Sequence, residues 1–371
     1  MGQGIVCLAM AAWLGLGSGA VETRTQEPPV ATFSIAACDT LTGEWGVAVA
    51  SRFLAVGSVV PWAKAGVGAV ATQAFANTSF GPDGLKLLEK GAPSSRALGQ
   101  ILALDSQKEA RQVGMVDRHG NGATHTGERC QGWAGGVSGK GFAIQGNLLA
   151  SKEVVDAMAE AFLGSEGNPL AERLLVTIAA GEEAGGDRRG KQSAALLVAK
   201  DKAGYGGFND RYIDLRVDDS SDPIADLRHL YELHAKLFLP AVHSRLGDAA
   251  LREGDRERGD MELSRAVQLY RDAIRRWPND AEAKNGLAWF FVEHRVNLDE
   301  AMSLAREAYK ISPESWQVLD TLAEIYFTKG QLEQAEKLST KAVEANPENI
   351  YLQQQSLRFR TALAKQRDLN E

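Results

Sequence analysis

The chain has 371 residues, enough for two domains with a sizeable core and no need of a crosslink to fold. With 44% hydrophobic and 24% charged residues it is ordinary globular material, and a net charge of −7 argues against a nucleic-acid surface, which requires a basic stripe. The densest basic run, Arg188, Arg189 and Lys191 beside Asp187, reads as a solvated loop, so no nucleic-acid partner is expected.

Residues 5–16 form an apolar run too short to span a bilayer, followed by Ser18, Gly19 and Ala20, which suit signal-peptidase cleavage after Ala20. Residues 1–20 therefore read as a signal peptide, and the mature chain as periplasmic or secreted, with no membrane span once the signal is removed. No Lys or Arg precedes the run, so a misassigned start and a cytoplasmic protein form the alternative. Cys7 would leave with the signal, and Cys38 and Cys130 would remain as a disulfide or as two buried thiols. Residues 21–31 are polar and carry Pro28 and Pro29, the mark of an extended leader.

Residues 32–37 alternate side-chain faces as a strand does and open on a hydroxyl, Thr32. With residues 45–51, across the turn-rich stretch 39–43, they read as a hairpin, and residues 67–73 as a third strand. Helices are expected over 84–90 and 94–104, a strand over 111–117, a turn at 119–122 and a strand over 141–146. Helices at 151–163 and 170–180 precede strands at 192–199 and 212–217. Strands and helices thus come in runs rather than in alternation, which indicates an α+β layered domain with largely antiparallel sheets. Asp222 and Pro223 then open a helix through residue 238.

After Pro240 strand signals vanish. Pro278, Pro313 and Pro347 stand 35 and 34 residues apart, and Ala266, Ala301 and Ala335 recur at one repeat position as Ala273, Ala308 and Ala342 do at another. With Leu322, Ala323, Tyr326 and Gly330 in the last unit, this pattern resembles a tetratricopeptide repeat. The first unit is degraded by the charged residues 252–260, and residues 350–365 read as a closing helix. The chain therefore divides into residues 32–239 and an all-α helical-repeat module, residues 240–371, through which a protein partner is expected.

No Gly-x-Ser-x-Gly elbow, phosphate-cradling loop, zincin helix or paired Cys-x-x-Cys occurs, and the six histidines are scattered. Asp218, Asp219 and Asp222 are explained as the acidic start of a helix more cheaply than as a Ca²⁺ site, so neither metal nor cofactor is expected. What remains is a series of small-residue and polar motifs: Gly46-Val47-Ala48-Val49-Ala50-Ser51, Gly66-Val67-Gly68 running on through Gln73 and Ala74, Arg111-Gln112-Val113-Gly114, Gln145-Gly146-Asn147, Gly185-Gly186-Asp187-Arg188-Arg189-Gly190-Lys191-Gln192, and Leu215-Arg216-Val217-Asp218-Asp219. In this order, over residues 32–235, they resemble an uncharacterised bacterial and archaeal family related to the Ntn hydrolases, known only as a domain of unknown function.

The resemblance implies a four-layer αββα sandwich. It also implies a nucleophile that is the first residue of the mature chain, here Thr32, whose own α-amino group serves as base because such an amine titrates near neutrality. Lys64, thirty-two residues further on, has a separation like that of the lysine in proteasome-type sites. Ser51 ends the second strand and is placed to face Thr32. Gln73, Asn77, Asn147 and Asp187, at strand ends or in turns, are candidates for substrate positioning, with Asn147 or backbone amides holding the oxyanion. Arg188 and Arg189 are candidates for a carboxylate clamp. Turn caps and solvated charges are the plainer reading of each. The expected activity is hydrolysis of an amide or peptide-like substrate. A cut after Ala20 leaves eleven residues ahead of Thr32, so a second cleavage must free its amine. The rival expectation is a catalytically silent ligand-binding scaffold of the same architecture.

Overall fold

The computed structural model describes residues 32–368, and the signal peptide and leader read in residues 1–31 lie outside them. Alternation organises the first half. In β1 (Thr32–Asp39), Phe33, Ile35 and Ala37 join one core while Ala36 and Cys38 join another, which puts Thr32 and Ser34 on the second face. The strand is buried as far as Cys38, so both faces are covered.

Around it form β2 (Glu44–Ser51), β7 (Trp133–Gly139), β8 (Phe142–Leu149), β9 (Ser193–Lys200) and β10 (Arg211–Val217), in the sheet order β10-β9-β2-β1-β8-β7. A second sheet has the order β3-β4-β5-β6, from β3 (Pro61–Lys64), β4 (Gly68–Ala74), β5 (Arg111–Asp117) and β6 (Gly122–Thr126). Both sheets are antiparallel. Helices α1 (Phe80–Glu89) and α2 (Ser94–Ala103) pack on Val70, Val113 and Met115 of the smaller sheet. Helices α3 (Glu153–Gly164) and α4 (Leu170–Glu183) cover Phe33, Ile35 and Ile144 of the larger one with Met158, Phe162 and Leu174. Between the sheets lie mostly small residues, Ala36, Val47, Val49, Ala69, Ala71 and Val116. The first half is thus a mixed α+β domain of helices, sheet, sheet and helices. Both Cys38 and Cys130 are free thiols, and burial, then the acids Asp39 and Asp117, push Cys38 up to about 12.

Three strands, β3, β6 and β7, were not anticipated, and all are sheet edges. An edge strand tolerates the proline that opens β3 and the three glycines of β7, residues that otherwise signal loops.

Beyond β10 the chain is helical: α5 (Pro223–Leu237), α6 (Leu239–Glu253), α7 (Arg256–Arg276), α8 (Ala281–Glu293), α9 (Leu298–Ile311), α10 (Trp316–Thr328), α11 (Leu332–Ala345) and α12 (Ile350–Asp368). Pro278, Pro313 and Pro347 fall in the turns after α7, α9 and α11, and all six periodic alanines are buried, which lets the helices approach closely. The charged residues 252–260 form the end of α6, the turn and the first positions of α7 instead of a packing face, and α6 supplies the unit's first helix. Leu239, Val242 and Leu246 of α6 and Leu269 of α7 share a core with Phe33 and Ile35, so the helical region is seated on the sheet domain. Among the described residues no helix is long and apolar enough to cross a membrane.

That seat buries charge. Register places Glu44 opposite Lys200, and the Lys200 ammonium lies 3.5 Å from Glu44 and 2.9 Å from Glu262 of α7. His243 of α6 bonds Glu262 through Nδ1, while its Nε2 lies 2.8 Å from the Tyr212 hydroxyl. One tautomer satisfies both contacts: Nδ1–H donates to the carboxylate and Nε2 accepts from the phenol. Burial lowers the His243 pKa and Glu262 raises it, with a net fall. For Glu262, burial is outweighed by the His243 bond and the Lys200 charge, which hold its carboxyl down at about 2. Glu44 shifts the other way, raised by burial against the pull of Lys200.

Candidate functional site

Thr32 heads β1, next to the middle of the larger sheet, and is wholly buried. Pairing of β1 with β2 sets it opposite Ser51, and its Oγ1 donates to Ser51 Oγ at 3.1 Å. The Gln73 amide of the facing sheet donates to the Thr32 carbonyl at 3.2 Å, so one residue ties both sheets at this end.

Beneath Thr32 lies a bed of neutral polar groups whose members follow from strand register. Ser34 stands opposite Gln145, and Gln73 opposite Gln112. Ser34 Oγ donates to Gln73 Oε1 at 2.6 Å and accepts from Gln145 Nε2 at 2.7 Å. Gln112 Oε1 accepts from Gln73 Nε2 at 2.8 Å and from Asn147 Nδ2 at 2.9 Å, and Gln112 Nε2 reaches the Gly146 carbonyl at 2.7 Å. All five side chains are at most 1% exposed, and buried polar groups persist because they satisfy one another in this way. Gly114 makes room for them, since a Cβ there would stand 1.8 Å from Gln145 Oε1.

Two backbone distortions flank the bed. Ala74, after Gln73, takes φ 66°, and Leu148, after Asn147, takes φ 52°. Left-handed conformations at residues other than glycine cost energy and concentrate where a site is held in a fixed shape.

On the other side of Ser51, Asp187 Oδ2 accepts from the Arg52 backbone N–H at 3.0 Å. Arg189 grips Asp187 with its own backbone N–H, Nε and Nη2, the last at 2.7 Å. A bridge between Leu149 and Asp187 brings this turn against the end of β8, next to Asn147. Thr32, Ser51, Gln73, Asn147 and Asp187 therefore converge on one end of the sandwich.

Three other candidates fall elsewhere. Lys64 pairs with Gly68 at the far end of β4 from Gln73, five residues or roughly 17 Å along the strand. It is half-exposed there and bonds Glu89 at 2.6 Å, so spacing in the chain did not carry it to Thr32. Asn77 caps a turn, donating to Asp105 at 3.1 Å, a carboxylate that also holds Arg111 at 2.8 Å. Arg188 is exposed and fixed by its backbone N–H to the Leu148 carbonyl, and Arg189 gives its guanidinium to Asp187 of its own turn.

Sequence reasoning did not single out Ser34, Gln112 and Gln145 as site residues, although two of them stood in the quoted motifs. Their signal is an uncharged polar side chain inside a strand of small and apolar residues, at positions whose period of two points them between the sheets.

Comparison with known proteins adds the family. A family-of-unknown-function model, DUF1028, matches residues 32–227, and a tetratricopeptide-repeat model matches residues 297–357. The crystal structure of protein SPO2555 from Silicibacter pomeroyi, of the DUF1028 family, is 32% identical with a TM-score of 0.50, covering 55% of this chain and 89% of that one. TTC0263, a tetratricopeptide-repeat protein of Thermus thermophilus, is 24% identical with a TM-score of 0.32, covering 38% of this chain and 69% of its own. The Sgt2 repeat domain of Aspergillus fumigatus is 16% identical with a TM-score of 0.29, covering 36% and 83%. No curated protein matches the chain significantly.

Proposed function

Because this chain belongs to the family of unknown function DUF1028 and continues into tetratricopeptide repeats, we propose that it is an exported amidohydrolase of the N-terminal-nucleophile type whose repeats hold a protein partner. The observation that carries the reading is Thr32, a hydroxyl at the head of an inner strand, bonded to Ser51 over a bed of amides in a helix, sheet, sheet, helix stack. The left-handed residues beside Gln73 and Asn147 support it, since such conformations are kept where surrounding structure fixes a site.

Cleavage of the bond before Thr32 frees its amine. As Thr32 Oγ1 forms a bond to the substrate carbonyl carbon, that amine takes the hydroxyl proton. Asn147, with one amide hydrogen already given to Gln112, or a backbone N–H holds the oxyanion. The leaving amine departs with the proton, and water releases the acyl group from Oγ1. Ser51 orients the hydroxyl throughout.

The test joins N-terminal mass spectrometry of the mature protein to an amide-substrate panel. A chain beginning at Thr32 is expected, with Thr32→Ala losing activity roughly 10⁴-fold or more. An active chain that begins before Thr32 overturns the mechanism. A second reading, a silent ligand-binding scaffold, is favoured by the bed itself, because Ser34, Gln73, Gln112, Gln145 and Asn147 include no titratable group. Equal turnover by wild type and Thr32→Ala, or none by either, supports that reading.

A further inference from the structure

Two buried acceptors in the helical region lack donors among the described residues. One face of α8 turns Asn285 and Trp289 toward a groove, and α10 turns Trp316 and Asp320 toward it from the neighbouring unit, spacings of four residues that align side chains on one side of each helix. Tyr351 of α12 closes one wall of the cavity, about 650 Å³ in volume. Asp320 is 4% exposed, and neither its Oδ1 nor the Oδ1 of Asn285 has a hydrogen-bond partner among the described residues. Burial, and after it the charge of Glu324, lift the Asp320 carboxyl to about 6 against the opposing Tyr351 hydroxyl bond and the charge of Arg358, which is itself paired with Glu324. Lys236, the cation that also borders the groove, is bound to Asp280 at 2.6 Å.

A buried acceptor without a donor is unfavourable, and two in one groove define what the groove lacks. The missing group brings several N–H donors, positive charge opposite Asp320, and a flat face for indole rings. An ammonium supplies the charge alone, whereas a guanidinium supplies five donors in a plane and stacks on aromatic rings. The terminal torsions of Asp and Asn are soft, so both oxygens can turn to meet it. We infer that the repeat groove seats an arginine side chain of a partner peptide, its guanidinium donating to Asp320 and Asn285 beside the Trp289 and Trp316 rings. This inference rests on the reading that the repeats hold a protein partner, and it names the chemistry of that partner.

The test uses the full chain and three pools of acetylated heptapeptides, degenerate except for a central arginine, citrulline or glutamate, with capture read by mass spectrometry. Citrulline keeps the shape of arginine and removes its charge. The arginine pool is expected to be retained about tenfold or more over the citrulline pool, the size of a charge-assisted hydrogen bond. Asp320→Asn is expected to abolish that preference, with thermal melting as the check on folding, and Asn285→Asp, which adds a second charge in the same shape, to increase it. Equal capture of arginine and citrulline pools, or a preference that survives in a folded Asp320→Asn chain, overturns the inference. Preference for the glutamate pool overturns it while leaving the partner-binding reading intact, and capture of no pool counts against both.

Discussion

Two buried polar clusters sit in this molecule, and they are stabilised in opposite ways. The bed under Thr32 is neutral, made of amides and a hydroxyl from β1, β4, β5 and β8 that satisfy one another between the sheets. The cluster under the helical region is ionic, joining Glu44 and Lys200 of the sheet to His243 and Glu262 of α6 and α7. A neutral network loses a few hydrogen bonds when a member is removed, but no charge is left behind. An ionic one is left with an uncompensated charge away from water, which is the larger penalty. The bed beneath Thr32 therefore keeps its shape without any group changing charge, whereas the attachment of the repeats depends on ionisation.

Removing Glu262 should have the largest effect. Glu262→Ala strands Lys200 beside a raised Glu44 and takes the acceptor from His243, so a loss of about 3–5 kcal/mol is expected in urea unfolding at neutral pH. The pH dependence has a definite sign. Glu262 is held down at about 2 when folded, so its contribution is fully present above the unfolded value of 4.5 and fades as pH falls toward 2. The gap between wild type and Glu262→Ala should therefore narrow over that window. A gap that stays constant between pH 5 and pH 2 would show that the ionic cluster is not what seats the helices.

A smaller effect is expected in the neutral cluster. Gly114→Ala puts a Cβ 1.8 Å from Gln145 Oε1, and the amide must leave Ser34 to make room. A loss of about 1–3 kcal/mol should follow. It should not vary between pH 5 and pH 9, because no member of the bed titrates there. Urea midpoints across that range check the claim, and a pH-dependent loss would mean that the bed is coupled to a charged group.

The two clusters also differ in how far the sequence revealed them. The alternation of β1 and the proline and alanine period of the repeats are local patterns, so the strand that carries Thr32 and the six packing alanines were legible directly. The convergence of Ser51, Gln73, Asn147 and Asp187 was partly legible, because motifs quoted for their small residues held them. Which polar residues face one another depends on register, and that is why Ser34, Gln112 and Gln145 were passed over. The ionic cluster left no trace. Its members lie on β2, β9, α6 and α7, and each reads in sequence as an ordinary surface charge. Edge strands failed for a related reason, since β3 and β7 have a neighbour on one side and can admit residues that an inner strand excludes.

Lys64 supplies the smallest expected effect and the sharpest contrast with Lys200. Both lysines bond glutamates, but Lys64 and Glu89 have side chains 47% and 50% exposed, whereas those of Lys200 and Glu262 are 8% and 3% exposed. Water solvates the exposed pair whether or not it is joined, and salt screens what attraction is left. Lys64→Ala should therefore leave the urea midpoint within experimental error at about 0.15 M salt. It should also leave any turnover of the amide panel unchanged, because Lys64 lies at the far end of β4 from the residues that surround Thr32. A loss of turnover with the midpoint intact would show that the hydrolytic centre reaches beyond the end of the sandwich where Thr32, Ser51 and Gln73 meet.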